Sequence, residues 1–153
     1  MKFLFLSTLF LFCFFLHAKA KNIEELLSNY KAATWKSPLE GTFNYRYCPP
    51  AKIKNNAKYP LLVFFHGAGG RGNDNKGQLV DAGGIIAFEK EDLRAKRESY
   101  VFAGQVPKGE RWVDVHWNLL GHRMPKVPSH SMRMAFEALD AFVSDKKNQV
   151  DRN

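Results

Sequence analysis

The sequence predicts an α/β fold in which helices flank an open sheet. Leu61 to Phe65 indicate a buried strand, because five apolar residues follow one another without alternation. Tyr100 to Ala103 predict a second short strand, which comes after a helical pattern over Ile85 to Lys96. Strand, helix and strand in this order favour a parallel crossover, with Leu61 to Phe65 as the central strand. Open sheets of this kind usually belong to larger domains, so we expect an incomplete sheet.

Four further elements are predicted around this crossover. Apolar residues at helical spacing predict a short helix near residues 23–30, and Pro38 stops it. Aromatic and polar residues alternate from Thr42 to Tyr47, which predicts a half-exposed strand near a sheet edge. Val106 to Ser129 have no clear period and predict an ordered loop over the sheet. Ser131 to Lys147 predict a helix whose apolar stripe packs on the sheet, formed by Met132, Ala135, Phe136, Leu139, Phe142 and Val143.

The segment after the first buried strand is rich in glycine. His66 is followed by a loop from Gly67 to Gly77 that contains five glycines, and we expect no helix to begin inside it. The stretch from Tyr59 to Asn75, YPLLVFFHGAGGRGNDN, resembles the strand and oxyanion loop of the phospholipase/carboxylesterase branch of the α/β-hydrolase superfamily. Secreted feruloyl-esterase-like and polyhydroxybutyrate-depolymerase-like enzymes share this branch. Gln105 to Trp112 resemble the loop after the family's next strand, so the resemblance covers most of residues 42–147.

The resemblance implies a secreted carboxylic-ester hydrolase of the serine type. Such an enzyme needs backbone N–H donors aimed at the oxygen that becomes negative, and a glycine-rich turn leaves those donors uncovered. The Ala68 amide is the first candidate donor and the Gly69 amide the second. Gly67 permits the sharp turn, and His66 is a shaping residue that bonds neighbouring backbone. His66 as general base is disfavoured, because the family places its catalytic histidine after the serine and the acid.

The residues of the family's catalytic triad are not found in this sequence. The nucleophile of the family lies in a Gly-x-Ser-x-Gly elbow, and residues 1–153 contain no such pentapeptide. Residues 150–153 resemble the short turn that precedes the strand carrying the elbow. We therefore expect an N-terminal part of an α/β-hydrolase domain, inactive on its own and in need of a C-terminal half.

Several side chains outside the glycine loop are candidates for a site. Trp112 and Trp117 are candidate substrate contacts, as an apolar wall for an aromatic group. His116 and His122 have no accompanying carboxylate or thiolate cluster, so we expect no metal site and no cofactor. Cys48 lies beside two prolines, with no His or Asp nearby in sequence to activate a thiol.

Two hypotheses from other classes compete with the esterase. One is a non-catalytic exported module, in which the segment from Trp112 to Trp117 and the glycine loop hold a sugar or an aromatic ligand. The other is a nucleotide-binding protein, since Gly67, Gly69 and Gly72 match the dinucleotide fingerprint after a strand. That fingerprint opens directly into a helix, whereas residues 73–77 continue the turn, so nucleotide binding is disfavoured.

The N-terminus predicts export. Lys2 precedes an apolar run from Phe3 to Leu16, and Ala18-Lys19-Ala20 has the small-x-small pattern of a cleavage site. We expect residues 1–20 to be a signal peptide and residues 21–153 a partial hydrolase domain that is secreted or periplasmic. The run is shorter than the roughly 20 residues of a membrane span, which disfavours an anchor.

The charge of the chain narrows the possible partners. Loss of Lys2 and Lys19 lowers the net charge from +8 to +6, spread without a dense basic run. We expect a small-molecule or polymer ester as the partner, and neither nucleic acid nor, after cleavage, a membrane.

Overall fold

The computed structural model describes residues 24–152 except 26, 39, 90–92 and 94–95, and it contains one mixed sheet of four strands. The strands are β1 (Lys31–Ser37), β2 (Gly41–Cys48), β3 (Leu61–Phe64) and β4 (Tyr100–Gly104). Their order in the sheet is β1-β2-β4-β3. β1 and β2 are antiparallel, as are β2 and β4, whereas β3 and β4 are parallel. The predicted parallel crossover is therefore confirmed.

Three α-helices are described from end to end, namely α1 (Gly77–Val80), α2 (Gly84–Phe88) and α3 (His130–Ser144). α2 falls within the region where a helix was predicted from Ile85, and residues 93 and 96 are helical as well. α3 is capped by Ser129, whose Oγ accepts a hydrogen bond from the Met132 N–H at 3.1 Å. This side-chain cap satisfies a backbone donor that would otherwise have no partner in the first turn.

The core lies on both faces of β4, all of whose residues are buried. Tyr100 and Phe102 point to one face, where they pack with Met134 and Phe142 of α3. The alternate residues of β4, Val101 and Ala103, point to the other face and pack against α1 and α2 and the segment before β1, through Leu79, Ile85 and Tyr30. Helices on both faces of the sheet confirm the predicted α/β class.

The prediction that Leu61 to Phe65 form the central strand is wrong. β4 is an inner strand, and β3 is half-buried at one edge of the described sheet. Beyond the outer side of β3, a single parallel bridge joins Tyr59 to Val150. The Tyr59 N–H donates to the Gln149 carbonyl and the Asp151 N–H donates to the Tyr59 carbonyl, both at 2.8 Å. A continuous apolar run indicates burial on both faces but does not indicate position within a sheet.

β1 has no counterpart among the elements predicted from the sequence. Residues 24, 25 and 27–29 are helical as expected, but the chain becomes a strand at Lys31, well before Pro38. β1 pairs with β2 along its whole length, from Lys31 opposite Tyr47 to Ser37 opposite Gly41. The strand has one large apolar residue, Trp35, so pairing with β2 stabilises it more than its own pattern does. The predicted strand at Thr42 to Tyr47 lies within β2, second from the edge.

The buried stripe of α3 agrees with the predicted one in part. Ala135, Leu139, Phe142 and Val143 were predicted correctly, because all four pack in or against the core on the sheet. Met132 and Phe136 were assigned to the wrong face, since Phe136 is 52% exposed, and the stripe contains Met134 and Ala138 instead. Met134 and Ala138 form an equally regular stripe, so periodicity alone does not choose between the two faces.

The predicted signal peptide at residues 1–20 lies outside the described residues. Among the residues that the structure describes, no helix combines the length and the apolar character that a membrane crossing requires.

Candidate active site

The loops that follow β3 and β4 meet at one edge of the sheet, because the carboxyl ends of parallel neighbours lie side by side. The Val106 N–H donates to His66 Nε2 at 3.0 Å. In return, the Gly72 N–H donates to the Val106 carbonyl at 3.0 Å. The glycine loop after β3 is thus fastened to the first residues after β4.

His66 connects these two loops from within. Its side chain is buried, and its Nδ1 lies 2.6 Å from the Gly67 carbonyl. Since Nε2 accepts from Val106, Nδ1 carries the proton and donates to Gly67. Burial lowers the pKa of His66 and favours the neutral ring. Both ring nitrogens are used by backbone, as a shaping residue requires, and no lone pair is left for a general base.

The glycine loop contains a short 3₁₀ turn at Ala68–Gly70, so the prediction that no helix begins there is wrong in this detail. The Gly70 N–H donates to the Gly67 carbonyl at 3.2 Å, which closes the turn without a long helix. Gly67, Ala68 and Gly69 are exposed. Among the described residues, the amides of Ala68 and Gly69 have no hydrogen-bond acceptor. The turn therefore presents two adjacent donors at the surface.

Asp81 lies directly against this turn and explains two of its glycines. A Cβ on Gly69 would lie 2.5 Å from Asp81 Oδ1, and one on Gly67 would lie 2.9 Å from Asp81 Oδ2. Both distances are shorter than any ordinary van der Waals contact. The loop passes so close to Asp81 that neither position accepts a side chain without movement of the carboxylate.

Gln105 is the residue that holds the rest of the loop. It is 1% exposed, and its Oε1 accepts from the Asn75 N–H at 2.7 Å. Its Nε2 donates to the Gly70 carbonyl at 3.2 Å and to Asp74 Oδ1 at 2.7 Å. Gln105 was not among the site residues predicted from the sequence. The available signal was a neutral amide placed directly after a fully buried strand.

Asp74 and Asn75 extend this network to α1 and to the sheet. The hydrogen bond from Gln105 lowers the pKa of Asp74, and the amides of Lys76 and Gly77 add to the effect. Asn75 adopts a left-handed conformation with φ of 52°, and its Nδ2 donates to the carbonyls of β1 and β2. The turn thus continues to Gly77, where α1 begins. A dinucleotide fingerprint would instead open directly into a helix.

The two candidate tryptophans have different surroundings. Trp112 packs edge-on against Phe65, with ring centroids 4.9 Å apart, and its Nε1 donates to the His66 carbonyl at 3.0 Å. Trp117 is 58% exposed, and the guanidinium carbon of Arg71 lies 5.1 Å from its ring centroid. Trp112 therefore supports the glycine loop directly, whereas Trp117 offers an open aromatic surface.

The remaining candidates lie apart from the loop's hydrogen bonds. His116 and His122 are exposed, and no group of three metal-ligating side chains occurs among the residues described. Cys48 is buried in the core, with its thiol 3.1 Å from the Asn29 carbonyl. Burial of this kind is typical of a structural thiol and not of a nucleophile.

A sheet with helices on both faces, and a strand that turns sharply into exposed glycine-loop amides, define part of an α/β-hydrolase-like fold. No family model matches the sequence, and no curated protein matches it. Among solved structures, the chain is similar to a thermostable esterase, with a TM-score of 0.70 and 26% sequence identity. The likeness covers 84% of this chain and 33% of the esterase, so the chain spans about a third of that structure's length.

Proposed function

We propose that this chain supplies the oxyanion-binding part of a serine-type carboxylic-ester hydrolase. The observation that carries the proposal is the pair of exposed amides at Ala68 and Gly69, at the carboxyl end of β3. The likeness in fold to a thermostable esterase supports the same reaction class. Substrates of this class are small or polymeric carboxylic esters.

In the proposed mechanism, a serine attacks the ester carbonyl while a histidine, oriented by an acid, accepts its proton. The carbonyl oxygen becomes negative in the tetrahedral intermediate. The Ala68 N–H, with the Gly69 N–H as a second donor, stabilises that charge. Donors of this kind act best when they are already in place before the reaction. His66 and Gln105 provide that rigidity, because each fixes the loop through hydrogen bonds from buried positions.

We further propose that the triad comes from polypeptide outside residues 1–153. This stretch has no Gly-x-Ser-x-Gly sequence. The bridge between Tyr59 and Val150 supports the proposal, because a strand continuing from it would run parallel to β3. Matching the seven positions from Tyr59 to His66, such a strand would reach the glycine loop about seven residues beyond Val150. A serine delivered just after that point would lie beside Ala68.

The proposal includes export through residues 1–20 to a secreted or periplasmic location.

The test is hydrolysis of a chromogenic butyrate ester by two purified proteins. One is residues 21–153, and the other is the product of the same reading frame extended through the DNA that follows. We expect activity in the extended protein only. Activity in residues 21–153 alone would contradict the assignment of the triad. Absence of hydrolysis in both proteins would contradict the esterase and favour a non-catalytic binding module.

A further inference from the structure

A cationic cleft adjoins the glycine loop. It has a volume of about 400 Å³ and is lined by Arg71, Arg111, His116, Trp117, Asn118 and Leu119. Arg71 directly follows the 3₁₀ turn, three residues after Ala68, so their Cα atoms lie within about 11 Å of each other. One wall of the cleft is therefore built from the same loop as the proposed oxyanion donors.

Within the part of the chain that the structure describes, no ion pair offsets the positive charge of the cleft. None of the lining residues is acidic. Among the described residues, neither Arg71 nor Arg111 forms an ion pair. Arg111 donates through one guanidinium nitrogen to the Val115 carbonyl at 2.6 Å, which fixes the group and leaves its other N–H donors. Two arginines that line one cleft, with no carboxylate among its lining residues, form a site for an anion.

Acidic side chains line a neighbouring cleft that shares Arg111 and His116. Glu110 and Asp114 line that cleft. Glu110 Oε2 already accepts from Ser131 Oγ at 2.5 Å and contacts His130 Nδ1 at 3.0 Å. Its charge is thus directed to α3 and not to Arg71. Asp114 is exposed, and among the described residues it forms no ion pair with Arg111.

Trp117 gives the cleft a preference for planar ligands. Its ring is 58% exposed and is contacted by the Arg71 guanidinium at 5.1 Å. A planar group can stack on the exposed part of this ring while its negative end meets the guanidinium groups. A guanidinium pairs with a carboxylate through two parallel hydrogen bonds, which favours carboxylates over neutral groups of the same shape.

We propose that this cleft binds a carboxylate attached to an aromatic ring, so that the preferred substrate is an ester that carries an additional acid group. The substrate part of this inference rests on the proposed esterase function. The binding of an aromatic carboxylate does not, because it requires no turnover.

The test uses benzoate as the probe and benzamide as its neutral analogue of the same shape. Both are titrated into the full chain while the three indole N–H signals are followed by NMR. Substitution of Trp117 by Phe assigns its signal. We expect benzoate to shift the Trp117 signal with a dissociation constant on the order of 1 mM, as suits so small a ligand. Benzamide should bind at least about tenfold more weakly.

Variants then locate the site. Arg71→Gln and Arg111→Gln should each weaken benzoate binding about tenfold. Arg97→Gln is the control. It also removes one positive charge, but Arg97 lies before β4 whereas the cleft is formed by residues beyond the other end of β4, so this variant should leave benzoate binding unchanged. The dispersed indole signals report whether each variant is folded, and Arg71→Lys, which keeps charge but not planarity, provides a second variant if Arg71→Gln does not fold.

Each alternative explanation of benzoate binding predicts a different result. Equal binding of benzoate and benzamide would overturn the proposal, as would inorganic phosphate binding as tightly as benzoate, which would indicate a general anion site. A benzoate effect on Trp112 without one on Trp117 would also overturn it. Benzoate binding together with an extended protein that hydrolyses no ester would leave the carboxylate site standing and refute the esterase. Ester hydrolysis without benzoate binding would do the reverse.

Discussion

Replacement of Gln105 by Leu tests how the glycine loop is held. The Gln105 side chain is almost completely buried, and leucine has a similar volume. The substitution therefore removes hydrogen bonds without leaving a large cavity. The Asn75 N–H and the Gly70 carbonyl lose a partner in a buried or half-buried place. Each such loss costs about 1–3 kcal/mol. Asp74 keeps the amides of Lys76 and Gly77 and contributes less. We expect the free energy of unfolding to fall by about 3–4 kcal/mol.

Gln78 offers a matched control, because it is equally buried but its side chain makes one hydrogen bond to the residues that the structure describes. Its Nε2 donates to Asn75 Oδ1 at 2.6 Å, and within the described residues its Oε1 is buried without a partner. Gln78→Leu should therefore cost less than about 1.5 kcal/mol. Urea unfolding of both variants measures the difference, provided that the slope with denaturant is unchanged. Equal losses in the two variants would refute the role assigned to Gln105.

Two predictions on pH dependence and one on a glycine substitution concern the same loop and α3. The folded-state pKa of His66 is lowered by burial, so its contribution to stability should be complete above pH 6.5 and should fall as the pH drops through the folded value. His130 has its pKa raised by its hydrogen bond to the Glu40 backbone, so its contribution should be complete below pH 6.5 and lost on raising the pH. Urea unfolding across pH, with His66→Gln and His130→Gln, separates these opposite slopes, and a slope of the wrong sign for either residue would contradict the assignment of that residue. Gly70→Ala places a Cβ 2.6 Å from the His66 ring and should cost about 2 kcal/mol in thermal or urea unfolding, whereas Gly121→Ala, with nothing within 4 Å, should be neutral.

Local signals in the sequence were enough to predict much of the fold. The apolar runs at β3 and β4 and the helix of α3 depend on neighbouring residues, and the structure contains all three. The position of β3 at an edge and the existence of β1 depend on pairing between strands. A strand such as Lys31–Ser37, with one large apolar residue, has little pattern of its own to detect.

In the candidate site, too, local features were predictable from the sequence and long-range contacts were not. The turn after β3 was predictable, because glycines directly after an apolar run are a local signal. The contacts that hold it were not, since Gln105 bonds to residues about thirty positions earlier and Trp112 bonds to His66 across 46 positions. The pairing of Arg71 with Trp117 likewise arises from the fold and not from sequence proximity.

The central claim, that the Ala68 amide is an oxyanion donor, is tested most directly by Ala68→Pro. Ala68 is the first residue of the 3₁₀ turn, where proline's fixed φ is accommodated, and Gly67 is extended as a residue before proline prefers. The change removes the N–H and keeps the bond from Gly70 to Gly67. In the extended protein, kcat for butyrate hydrolysis should fall about 100- to 1000-fold while Ala68→Ser, which keeps the N–H, stays close to the unaltered enzyme. Full activity of a folded Ala68→Pro variant would contradict the account.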